Sequence, residues 1–111
     1  AMRKILAKFS NVTLLVAGSG AEGRLYESMI QDGLRVVMLG MLPQQKLATF
    51  YQSIDVFVDP FYQHHGLNTV MLEAVLSAVP IIVTRLASSA TTAPCADYGL
   101  SFALGRVEEL A

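Results

Sequence analysis

Short apolar runs rich in β-branched residues alternate along this chain with segments whose apolar residues recur at helical spacing. Residues 3–9 read as the end of a helix. Val12-Thr13-Leu14-Leu15-Val16-Ala17 then fits a strand buried on both faces, as in a parallel sheet, and Gly18-Ser19-Gly20 ends it sharply. A helix is predicted over residues 22–32, with Leu25, Met29 and Ile30 on one face and Gly33 as its C-terminal stop. The second strand is Leu34-Arg35-Val36-Val37-Met38-Leu39, closed by Gly40. Pro43 stands where the first residue of a helix prefers proline, and Leu47, Phe50, Tyr51 and Ile54 follow at i, i+3, i+4 and i+7. The apolar stripe of this amphipathic helix should lie on a sheet.

A third strand is predicted over residues 55–59, a helix over 68–78 and a fourth strand over 80–84. A loop of small and hydroxylated residues occupies 87–94, either lining a site or forming a surface segment. A fifth strand spans residues 99–103, and a further helix begins near Arg106. Strands and helices alternating at this spacing define an α/β domain with a mostly parallel sheet.

The stretch from His64 to Ala74 is the turn from the third strand into the central helix, the kind of turn where open α/β sheets bind ligands. Gly66 permits a close backbone approach, and Asn68 or Thr69 can cap the helix while the free amides of its first turn face an anion such as phosphate. Glu73 is the one charged residue between Thr69 and Val79. It shares a stripe with Thr69 and Ser77, which is either a ligand-facing edge or the solvated face of a buried helix.

Composition narrows the function. The chain has 111 residues, enough for one domain but small for an enzyme that must hold two substrates. Hydrophobic residues make up 53% and charged residues 15%, so some surface is expected to meet a partner. The net charge of −1, without a basic cluster, argues against a nucleic-acid groove or an anionic membrane surface. No apolar run reaches membrane-spanning length, and the single Cys95 suits a reducing, cytoplasmic setting.

Gly18-Ser19-Gly20-Ala21-Glu22-Gly23 matches the dinucleotide fingerprint in the required strand-to-helix context. The acid that the fingerprint expects at the end of the next strand, for the ribose hydroxyls, is absent from Val36-Val37-Met38-Leu39-Gly40, which favours a tight turn without a dinucleotide. The adjacent His64 and His65 lack a ligand set at metal-binding spacing, so no metal is expected and His65 reads better as a hydrogen-bonding residue in a ligand loop. No nucleophile is placed beside a base.

Taken in order, Leu14 to Gly20, Val36 to Gly40, Leu47 to Pro60, Gly66-Leu67 through Leu72-Glu73-Ala74, Val79 to Thr84 and Gly99 resemble the C-terminal, donor-binding domain of GT-B glycosyltransferases of the group 1 (family 4) type. The resemblance implies a Rossmann-like, mostly parallel sheet with helices on both faces, one half of a GT-B fold. It also implies transfer of a sugar from a nucleotide-sugar, such as a UDP- or GDP-sugar, with retention and without a metal or other cofactor. In that family a Glu-x7-Glu pattern spans the loop and helix. Its second glutamate, which binds the ribose, falls on Glu73, and the position of the first, near the donor sugar, is His65, which the resemblance makes the candidate catalytic residue. Gly66, Leu67, Asn68 and Thr69 would offer amides to the diphosphate, and Gly40-Met41-Leu42 would meet the base through main-chain atoms. Gly18 and Gly20, in the turn after the first strand of this chain, would join the residues that bind the nucleotide-sugar.

Residues 1–111 therefore look like a partial donor-binding domain that lacks the family's opening strand and its acceptor domain. With sheet order 3-2-1-4-5-6 in the family, the absent strand is central, so its neighbours need pairing from another copy or another part of the enzyme. A homo-oligomer, or association with the N-terminal half, is the expected partner state. The isolated chain is expected to bind a nucleotide-sugar without transferring it. The competing expectation is a non-catalytic interaction module whose donor pocket is vestigial.

Overall fold

A computed structural model describes residues 1–60, 69–85, 98–103 and 106–110. Among them are helices α1 (Met2–Lys8), α2 (Gly23–Gln31), α3 (Gln44–Ser53), α4 (Thr69–Leu76) and α5 (Val107–Leu110), and strands β1 (Leu14–Ala17), β2 (Val36–Gly40), β3 (Phe57–Asp59), β4 (Ile81–Arg85) and β5 (Gly99–Ala103). Among the described residues every strand pairing is parallel: β1 with β2, and β3-β4-β5 in a three-stranded sheet. The class is α/β, as the alternation of patterns requires, and each predicted element is present within one or two residues at its ends. The described residues divide into two compact units, one within Ala1–Gln44 and one within Gln45–Leu110.

In the first unit, Leu6 of α1, Met29 of α2 and Val36 of β2 are buried together, with Leu14, Val16, Tyr26 and Leu34 packed against them. The stripe expected on α2 is therefore rotated. Tyr26 and Met29, three apart, take the core side, whereas Leu25 and Ile30 lie on its flanks, 49% and 44% exposed. The Arg3 guanidinium pairs with Asp32 and donates to the Ser28 hydroxyl at 2.6 Å, tying α1 to the end of α2. Arg35 donates to the carbonyls of Val12 and Phe9, both at 3.0 Å, which anchors the segment entering β1. Along β2, Val36 is buried but Val37, Met38 and Leu39 are exposed.

The second unit has its own core. Met71 and Ala74 of α4, Ile81 and Val83 of β4, Tyr51 and Val79 are buried, joined by Leu47, Phe50, Ile54, Phe57 and Val75. All four predicted stripe residues, Ile54 just beyond the end of α3, thus join this core. Register places Phe57 beside Ile81 and Asp59 beside Val83, so one face of β3-β4 carries Phe57, Asp59, Ile81 and Val83 toward the helices. Gly99 pairs with Ile81, and a Cβ on it would stand 1.8 Å from the Ile81 carbonyl oxygen, so only a glycine lets β5 lie this close.

Two helices end in the same way. Gly33 has φ +76°, with Gly33 N–H donating to Ile30 and Leu34 N–H to Met29, the paired bonds of a Schellman cap. Helix α4 repeats these bonds from Ala78 N–H to Val75 and Val79 N–H to Ala74, but the residue in the left-handed region, φ 58°, is Ala78. The helix therefore stops at Leu76 rather than running on to Ala78.

Candidate functional site

The candidate residues fall into two groups, one in each unit. In the first unit, the C-terminal ends of β1 and β2 meet. Register shifts between Val16 and Ala17, Ala17 comes to oppose Gly40, and Gly18 N–H donates to the Gly40 carbonyl at 2.7 Å. Both glycines have positive φ, +114° at Gly18 and +66° at Gly40, which a side chain would resist at this crossing. Gly20 accepts from Gly23 N–H at 3.3 Å, forming the tight turn into α2. Beyond Gly40, Met41 is 73% exposed and Leu42 is half-buried.

This geometry bears on the dinucleotide fingerprint. The Gly18 amide is already engaged, and a Cβ on Gly23 would meet nothing nearer than the Met38 Cε at 3.8 Å, an ordinary contact. The third glycine of a true fingerprint is there to permit close helix–strand packing. Gly23 is not in such packing.

In the second unit, α4 presents Thr69 at its exposed start and Glu73 one turn on, half-buried. No acidic residue lies in its first turn, so the positive end of the helix dipole is not offset by its own side chains. The Tyr51 hydroxyl of α3 lies 3.0 Å from Glu73 Oε2 and 3.2 Å from the Val70 carbonyl. One phenolic proton serves both acceptors, and the carboxylate, being charged, is the stronger. Tyr51 is 3% exposed, and its ring meets Phe50 and Phe57 edge-on, at centroid distances of 5.4 and 5.9 Å. Burial first, then the hydrogen bond to Glu73 and its charge, push the Tyr51 pKa from 10.0 to about 12, so the phenol stays protonated and remains a donor.

Tyr51 was legible in the sequence as a core position, not as a partner of Glu73. The available signal was a tyrosine in a stripe otherwise occupied by Leu, Phe and Ile, because a buried phenol needs a polar partner. Asp59 and Thr84, both buried, mark the C-terminal ends of β3 and β4, the edge where open sheets bind ligands. Thr84 Oγ1 has no hydrogen-bond partner among the described residues. His65, Gly66, Leu67 and Asn68, with His64, lie outside the described residues. Among the described residues no group of three or more potential ligands is placed to hold a metal, and no helix is long and apolar enough to cross a membrane.

Parallel strands alternating with helices give both units a Rossmann-like α/β class of fold. Residues 1–111 match the family of group 1 glycosyl transferases along their whole length, and the chain belongs to that family. It is similar to a GDP-mannose-dependent α-mannosyltransferase of Corynebacterium glutamicum, 33% identical over 76 residues, which cover 68% of this chain and 17% of that enzyme. The chain thus corresponds to a small part of the length of this curated relative.

Proposed function

We propose that this chain carries the donor-binding face of a sugar-nucleotide-dependent transferase, with GDP-mannose as the first donor to test. The observation that carries the reading is the Glu73 carboxylate, half-buried and held by Tyr51 on the helix that follows β3. An ionised carboxylate accepts hydrogen bonds, and a ribose diol presents two hydroxyl donors at matching spacing. By the family pattern, Thr69 with Gly66, Leu67 and Asn68 is assigned to the diphosphate and His65 to the donor sugar or its phosphate. The choice of guanine and mannose follows the name of the Corynebacterium relative.

In this reading transfer proceeds with retention and without a metal, in a cytoplasmic enzyme. Its partner in this reading is a second copy or the N-terminal half of such an enzyme. Donor and acceptor must be held together for transfer, a proximity effect of roughly 7–11 kcal/mol, so the chain alone binds donor without turning it over. A non-catalytic interaction module is the second reading, favoured by the exposed Val37, Met38, Leu39 and Met41.

Calorimetric titration of the chain with GDP, UDP and ADP tests the proposal. Saturable binding, strongest for GDP, is expected. A folded protein that self-associates in sedimentation and binds none of the three would establish the second reading instead.

A further inference from the structure

We infer that Tyr51 is a positioning residue of the donor site, fixing the Glu73 carboxylate for a ribose diol; this rests on the donor-binding reading above. The phenol oxygen is a fixed point. Its ring is buried against Phe50 and Phe57, and it lies on α3, the helix whose stripe makes the core. Glu73 lies on α4, and a free glutamate there would distribute its carboxylate over several rotamers. The 3.0 Å bond to Tyr51 selects one of them, and the 3.2 Å approach to the Val70 carbonyl holds the hydroxyl over the first turn of α4.

The bond uses one lone-pair site on Oε2. Among the described residues no other side chain donates to this carboxylate, so Oε1 and the second site on Oε2 offer acceptors enough for two ribose hydroxyls. Tyr51 does not touch the nucleotide in this arrangement. It acts by removing alternatives that Glu73 would otherwise have to give up on binding.

This role differs measurably from that of a core aromatic. Tyr51→Phe keeps the ring and its packing but loses the proton donor. A residue acting through Glu73 on the diol must affect ligands that have both hydroxyls more than those that lack one. The experiment is calorimetry of the chain and its Tyr51→Phe variant with GDP and with 2′-deoxy-GDP, alongside thermal melts of each protein. Wild type is expected to prefer GDP, and Tyr51→Phe to bind GDP about tenfold more weakly with that preference largely erased, the size of one hydrogen bond to a charged group. An equal loss for both ligands, or GDP affinity unchanged, overturns the positioning role while leaving the donor site standing. Silence of the wild type toward both ligands overturns the donor-binding reading and the inference with it.

Discussion

Replacing Ala78 by glycine should stabilise the second unit, although it removes a methyl group. Ala78 sits at φ 58° at the end of α4, and its backbone bonds fix it there through the Schellman pair. An L-residue in the left-handed region costs about 1–2 kcal/mol relative to glycine. Glycine in turn gives the unfolded chain more freedom, worth about 0.4–1 kcal/mol in the opposite direction. Ala78 is exposed, so the lost methyl burial is small. The balance is a net gain of about 0.5–1 kcal/mol, which in a domain of 60–100 residues raises the melting midpoint by roughly 2–8 °C.

Gly33 supplies the mirror experiment. It holds the same place at φ +76°, and a Cβ there would meet no atom within 4 Å, so Gly33→Ala isolates the conformational cost without a clash. That variant should lose about what Ala78→Gly gains. Urea and thermal denaturation followed by circular dichroism measures both. Amide hydrogen exchange at Ile81–Val83 and at Leu14–Val16 assigns each change to its unit. Destabilisation by Ala78→Gly, or stabilisation by Gly33→Ala, would refute the argument from backbone strain.

Other outcomes follow from the same contacts. Gly99→Ala drives a Cβ to 1.8 Å from a backbone carbonyl, and an insertion that a neighbour cannot evade costs about 3 kcal/mol or more, so exchange protection across β4 and β5 should collapse. Tyr51 has a folded pKa of about 12 against 10.0 unfolded, so it binds its proton more tightly in the native state. Its stabilisation is full below pH 10 and lost as pH rises to 12, amounting to about 2–3 kcal/mol, and a Tyr51→Phe protein should lack that part of the alkaline decline in urea midpoints. Binding of NAD that depends on Gly20 would revive the fingerprint reading of residues 18–23. None is expected, given the ordinary packing at Gly23.

Much of this fold was legible because periodicity alone separates its elements. The i, i+3, i+4, i+7 series from Leu47 to Ile54 named the residues that α3 buries, and Gly33 announced the end of α2. The end of α4 carried no such signal, because an alanine at Ala78 does the work usually left to glycine. On α2 the apolar positions outnumber the places in the core, so pattern could not say that Tyr26 displaces Leu25 and Ile30 from it. The site divides similarly. Glu73 stood out as a lone charge in an apolar helix, whereas its hold on Tyr51 depends on how α3 and α4 lie on the sheet, a distance of 22 residues in sequence. The Gly18–Gly40 bond likewise joins two turns that sequence could only list apart.

The central claim is that Glu73 receives the ribose of a nucleotide-sugar. Titration of GDP-mannose into the wild-type chain and into Glu73→Gln, each checked for an unchanged melt, tests it most directly. The account predicts saturable binding by the wild type and a loss of about tenfold to a hundredfold in the variant, the scale of two hydrogen bonds to a charged acceptor. Equal affinity in the two proteins would contradict it.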